Sequence, residues 1–468
     1  MKKATSIKVF AIAILHFTFS ILHFTAHAAV IEQVIVRQQW PWSTDVKVEY
    51  KVTGVTSPVN IAVRAFNGEE ELSSANLEAS ISGERYGIAE DGVGTFVIDP
   101  VKAFGTSKVA LANFKVKLSL TEAASNINEV IYKVFDLSTG ACQDITRADF
   151  YNGKVEDGDY VTDYTSLHSR FLAPSSEMVG DVLVWTGVTN NVKYKTTHLV
   201  MRKIPAANKV WCMGAPMTER GYRAQTETNH LVKLTQNYYI GVFELTQRQY
   251  TLITGQNGSL PDEQAREEAD VLPVSGMKFG NVGVEKTVLY AVAKLRQNTG
   301  LEGFNLPTEA QWEFACRAGS DTGLYSGRQS SSSGLWSGCD TDVDLLAWFA
   351  GNSSGTKVVG LKLPNAFGLY DMLGNVREWA LDMYSEYDAY VASFGAGWQP
   401  GDVVVDPTGP AQASVTVSGS TDVRTLRGGH YGLYPAMVRN CSRIYNTARW
   451  QETKTNDSGM RVILAITE

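Results

Sequence analysis

From residue 320 to 468 the sequence is dense in Gly, Asn and Trp and shows mostly loop and short-strand patterns. Backbone N–H and C=O groups that leave water must find partners. A compact domain carrying so much irregular chain therefore has to pin it from inside, with hydrogen bonds, bridges or metal. Arg427, Arg439, Arg443 and Arg461 recur toward the end of this stretch. A guanidinium can satisfy several acceptors at once, so buried Arg–carboxylate pairs holding loops together are their expected use. Five cysteines are also candidates: Cys142, Cys212, Cys316, Cys339 and Cys441. None has C-x-x-C spacing, which argues against a zinc or redox motif. They are too few for a disulfide scaffold, and one or two structural bridges are expected.

Ordered elements precede the loops. "LPTEAQWEFACRAG" places Thr308 as a helix N-cap with Gln311 three residues on, a capping box, and Gly319 closes it. "EKTVLYAVAKLRQNTG" puts Val288, Ala291 and Leu295 on one side and stops at Gly300. A helix is also expected from Leu245 or Thr246. Earlier still, "TDVKVEYKVTG" alternates Val46, Val48, Tyr50 and Val52 against Asp45, Lys47, Glu49 and Lys51, the period of a half-buried strand. Similar runs across residues 29–145 predict an all-β sandwich of immunoglobulin-like type. Residues 146–204 read as a linker or edge strands, and a second domain is expected over 205–466.

The start reads as a targeting segment over residues 1–28. Lys2 and Lys3 precede an apolar run that ends at Ala26-His27-Ala28, a small-residue cleavage pattern. No later stretch is long and apolar enough to span a membrane. A secreted or periplasmic protein is expected, with no membrane-spanning segment after signal cleavage. A formal charge of -7 argues against a nucleic-acid partner.

With these elements placed, "NLPTEAQWEFACRAG" at 305–319 resembles the sulfatase-modifying factor family, the formylglycine-generating enzyme fold. "VWCMGAP", "YYIGVFELTQRQY", "LPVSGMKF", "LPNAFGLYDMLGNVREWALDMY" and "LRGGHYG...DSGMRVI" follow the family's order around it. The resemblance implies an α+β, C-type-lectin-like core decorated with loops. It also implies where chemistry would sit. Enzymes of this family hold copper on two cysteines just after the R-G-G of the last motif, and here those positions are Leu433 and Val438. Neither side chain supplies a thiolate, which is both the ligand and the nucleophile. No copper is expected on this count. Iron finds no helical His cluster among His168, His198, His230 and His430, so none is expected either.

The resemblance further implies a disulfide between Cys316 and Cys441. It implies a calcium loop using Asp371 and Glu378 with the backbone of Gly374 and Val376, since hard oxygen donors suit that ion. Alternatively, Asp371 and Glu378 cap a turn or pair with Arg377 or Arg427. Around the missing thiols stand His430, Tyr431, Tyr434, Tyr445, Asn446, Arg449 and Trp450, residue types that suit a protein or carbohydrate ligand. The expected function is thus non-catalytic binding outside the cytoplasm. The alternative is an enzyme of the same family with non-standard active-site residues.

Overall fold

Alternating apolar residues bury one face of the strands Val46–Thr53 and Val59–Asn67, and two sheets close over them. The computed structural model describes residues 29–38, 45–105, 114–152, 187–280, 287–331, 334–336, 340–394, 397–416, 421–447 and 457–466. The expected targeting segment, 1–28, lies outside the described residues. The chain divides into two units, Met1–Ala123 and Ala124–Glu468.

In the first unit the strands are β1 (Val30–Gln38), β2 (Val46–Thr53), β3 (Val59–Asn67), β4 (Glu70–Glu71), β5 (Ile81–Gly83), β6 (Gly92–Ile98) and β7 (Phe114–Glu122). They form sheets of order β1-β2-β6-β5 and β4-β3-β7, with antiparallel pairing throughout. Val46, Val48, Tyr50 and Val52 are buried as the alternation requires. They share one core with Ile61, Val63 and Ala65 of the other sheet.

The second unit begins earlier than the sequence pattern suggests. Strands β8 (Val130–Asp136) and β9 (Cys142–Thr146) were expected with the sandwich. Instead β8 pairs with β10 (His198–Ile204), which itself pairs with β13 (Tyr238–Gly241). The sheet runs β14-β20-β13-β10-β8-β9, closed by β14 (Phe304–Asn305) and β20 (Ile463–Ala465). The stretch read as linker or edge therefore contributes a central strand. A strand's period is local, whereas its sheet is chosen by long-range pairing, so the boundary at 145 was not legible.

A three-stranded sheet joins β11 (Lys209–Met213), β12 (His230–Leu234) and β16 (Val403–Val405). A four-stranded one has the order β18-β17-β15-β19, from β15 (Arg377–Met383), β17 (Val423–Arg427), β18 (Arg443–Thr447) and β19 (Ser458–Gly459).

Local signals fix the helices. Thr246 and Thr308 each close a capping box over the helices Gln247–Thr254 and Glu309–Arg317. Val288–Thr299 buries Val288, Ala291, Val292 and Leu295 and ends at Gly300 with φ 72°. At Glu309–Arg317 the left-handed cap falls on Ala318, φ 45°, one residue before the expected Gly319. Among the described residues no helix is long and apolar enough to cross a membrane.

Candidate functional site

Helix Glu309–Arg317 presents two carboxylates, and the loops are built onto them. Arg443 Nη2 donates to Glu309 Oε2 at 2.8 Å, and its Nη1 donates to Thr226 O at 3.0 Å and Ser385 O at 2.9 Å. Arg427 reaches Glu309 at 3.3 Å and Glu313, and donates to the carbonyls of Asn440 and Cys441 at 2.9 and 3.1 Å. Arg439 binds Glu227 at 2.8 Å and Glu219 at 2.5 Å. All of these guanidinium groups are buried. The expected pinning of irregular chain by buried Arg–carboxylate pairs is what the structure contains. Asp382 accepts the Glu309 N–H at 2.8 Å, and burial together with the Glu309 charge pushes its carboxyl up to about 7.

A second group of acids surrounds Arg461. Its Nη2 donates to Glu378 Oε1 at 2.8 Å and to Tyr370 O at 2.8 Å, and its Nη1 to Gly241 O at 2.8 Å. Trp312 Nε1 donates to the other Glu378 oxygen at 2.7 Å. The alternative to a calcium ligand was that Glu378 caps a turn or pairs with Arg377 or Arg427; its buried partner is Arg461. Glu244 accepts the Val376 N–H at 3.0 Å and Asn375 Nδ2 at 2.6 Å. Burial, and then the charge of Asp371, hold the Glu244 carboxyl well above its usual range. Asp371, at φ 54°, accepts the Gly360 N–H at 2.6 Å through Oδ2, while Oδ1 is buried without a partner. Burial pushes its carboxyl up to about 6, against the Gly360 N–H and Arg461.

The expected calcium ligands can be tested on this geometry. Asp371 keeps one oxygen open, but both oxygens of Glu378 already accept from Arg461 and Trp312. Glu378 does not fit as a calcium ligand beside a guanidinium that neutralises it. Gly374 has a different task here. At φ 79° it lies so close to Trp348 that a Cβ would come 2.2 Å from the Trp348 carbonyl oxygen. Among the described residues no group of three His, Cys, Asp or Glu could hold a metal ion.

The expected Cys316–Cys441 disulfide is absent, and both thiols are free. Their sulfurs are committed to different neighbours. Cys316 Sγ donates to Asn440 Oδ1 at 3.3 Å. Cys441 Sγ donates to Glu219 Oε1 at 3.1 Å and lies 3.0 Å from Arg439 Nη1. Both side chains are wholly buried, and burial raises both thiols above their usual range. Loop pinning that a bridge would supply is supplied by the arginines instead.

The loop after Gly429 carries Leu433 and Val438, the two apolar residues that the resemblance sets at the thiol positions. Val438 is buried in the core shared with Trp312 and Met372, and Leu433 packs against its edge. Tyr434, 46% exposed, and half-buried Tyr431 and His430 lie on the same turn. His430 Nδ1 accepts the Gly432 N–H at 3.2 Å, which leaves its other nitrogen, 3.6 Å from Asp457, to carry the proton. Burial lowers the imidazole to about 4, and the Asp457 charge opposes this. Tyr445 and Asn446 are on β18, opposite Thr425 and Arg424. Arg449 and Trp450 lie outside the described residues.

Sequence reasoning missed Asn375, which organises this face. At φ 53° and fully buried, it accepts the Lys357 N–H on Oδ1 at 2.8 Å and the Tyr431 N–H on its carbonyl at 3.0 Å. Its own N–H donates to Trp348 O at 2.9 Å. One side chain and its peptide thus hold Trp348, Lys357 and Tyr431 together. The G-N pair after a turn was the available signal, since Asn tolerates the left-handed region.

Residues 196–466 match the family model described as "Sulfatase-modifying factor enzyme 1-like domain". A "Chaperone protein LppX" of Paenibacillus barcinonensis is 29% identical over 35% of this chain and 69% of its own length. The formylglycine-generating enzyme of Thermomonospora curvata is 36% identical over 25% of this chain; the matched part spans only 38% of that enzyme. Among solved structures, Treponema denticola variable protein 1 is 22% identical, with a TM-score of 0.43 over 57% of this chain and 95% of that one.

Proposed function

The chain belongs to the sulfatase-modifying factor enzyme 1-like family, and we propose that it is a non-catalytic member that binds a protein or carbohydrate ligand outside the cytoplasm. The observation that carries this reading is the burial of two of the three described thiols in the matched residues, the third, Cys212, being exposed on β11. Cys316 and Cys441 are at 0% exposure and donate to internal oxygens. A thiol chemistry needs a thiolate that a substrate or copper can reach. At the positions that the resemblance assigns to the catalytic pair, Val438 fills the core and Leu433 packs against it.

The exposed and half-buried aromatics of the same turn, Tyr434, Tyr431 and His430, support binding, because rigid rings offer contact area at small entropic cost. The first unit, with two antiparallel sheets over one core, serves in this reading as an immunoglobulin-like spacer or docking module. Export to a secreted or periplasmic location rests on the apolar N-terminal segment and its cleavage pattern. The competing reading, an enzyme with non-standard residues, draws on the match to the Thermomonospora enzyme.

One assay separates the two. The purified protein is incubated with a cysteine-containing sulfatase peptide, copper(I) and oxygen, and the peptide is weighed by mass spectrometry. The expected result is unchanged cysteine. Conversion to the aldehyde at a rate that depends on the protein would overturn the binding reading.

A further inference from the structure

The Trp348 ring carries an unpartnered donor and stands beside two ammonium groups. Trp348 Nε1 is buried without a partner. The Lys362 ammonium lies 4.1 Å, and the Lys357 ammonium 5.9 Å, from the centroid of the Trp348 ring. Lys362 is partly neutralised, donating to the Asp344 carbonyl with the Asp344 carboxylate 3.8 Å away. Among the described residues Lys357 has no carboxylate within ion-pair distance. Three nearby acceptors already take a donor. The Trp348 carbonyl takes the Asn375 N–H, the Leu433 carbonyl takes the Ala350 N–H at 3.0 Å, and Asn375 Oδ1 takes the Lys357 N–H. Leu361, 59% exposed, precedes Lys362 in the chain, and Leu345, 51% exposed, is tied to the same segment by the Leu363 N–H on its carbonyl at 3.1 Å.

We propose that Trp348, Lys357 and Lys362 form a subsite for a side-chain carboxylate of an acidic peptide segment, with Leu345 and Leu361 taking apolar side chains beside it. This rests on the binding reading above and names its ligand class. An indole N–H and an ammonium group can both donate to one carboxylate, and such charge-assisted bonds are the stronger kind. A sugar is disfavoured because the two ammonium groups lie over the ring where a pyranose would stack. The backbone is held for this purpose. Gly374 lets the chain press against Trp348, and Asn375 fixes Lys357 beside it.

The test is titration calorimetry on the full chain with three probes: an acetylated, amidated peptide of glutamate and leucine, the same peptide with glutamine for glutamate, and a uronic-acid oligosaccharide. The expected result is binding of the glutamate peptide alone, weakening with added salt. Lys357→Glu should weaken it at least about tenfold by like-charge repulsion, with an unchanged melting temperature. Lys357→Gln should weaken it less. Equal binding of the glutamine peptide, or indifference to Lys357→Glu, overturns the subsite and leaves the binding reading standing. Binding of the oligosaccharide in place of the peptide overturns the ligand class, and binding of none of the three overturns the proposal. Aldehyde formation in the sulfatase-peptide assay would instead sink the reading beneath it.

Discussion

Glu309→Ala is expected to cost the second unit about 3–5 kcal/mol, because it leaves buried guanidinium charge without its partner. Arg443 loses both of its carboxylate contacts and Arg427 loses one, keeping Glu313. Neither arginine can turn to water, since Arg427 is 0% and Arg443 6% exposed. Both also hold carbonyls on distant loops, at Thr226, Ser385, Asn440 and Cys441, so strain at Glu309 reaches several segments. The magnitude is the cost of an orphaned charge and says nothing about how much the intact pair contributes. Urea unfolding measures it. The exposed pair Arg37–Glu49 is an internal reference, because surface pairs contribute about 0–1 kcal/mol. A Glu309→Ala loss no larger than that of Glu49→Ala would mean that water reaches the network.

Trp312→Ala should cost a similar amount, about 3–5 kcal/mol, by a different cause. Its ring is at 0% exposure in the largest core cluster. Gly428 packs so closely on it that a Cβ there would come 3.2 Å from the ring. Removing the ring opens a cavity and strips one donor from Glu378, which keeps Arg461. Trp312→Phe separates the two effects. It retains much of the packing and loses the Nε1–H, for an expected cost of about 1–3 kcal/mol. Thermal or urea unfolding of both variants checks this, and a phenylalanine variant as damaged as the alanine one would show that the hydrogen bond, not the packing, dominates.

Whatever rests on neighbours in the chain was legible in the sequence. Val46 to Val52 alternate and are buried in alternation; Thr246 and Thr308 cap the helices they precede. The arginines could be assigned to buried pairs by a general need, the pairing of irregular backbone. Their partners could not be chosen. Glu378 meets Arg461 and not Arg377, and Glu244 reaches Asn375 across 131 positions. Nothing in local spacing encodes such a distance. The same limit explains the misplaced domain boundary, since β8 and β9 carry an ordinary strand period yet pair into the sheet of the second unit.

The disulfide failed for another reason. It was carried over from a resemblance, position by position, and the thiol of Cys441 instead faces Arg439 and Glu219. At the candidate face, His430, Tyr431 and Tyr434 were identified by type alone. Trp348, Lys357 and Asn375 were missed because they come from separate loops that only the folded chain brings together.

On the binding reading, no thiol of this face is available for chemistry. Alkylation with a maleimide, mapped by peptide mass spectrometry before and after unfolding without reductant, tests it most directly. Exposed Cys142 and Cys212 should be modified in the native protein while Cys316 and Cys441 are protected. All four should be modified once the chain is unfolded, because none of them is bridged. Native modification of Cys441 at the rate of the exposed thiols, or persistent protection of Cys316 and Cys441 after unfolding, would contradict it.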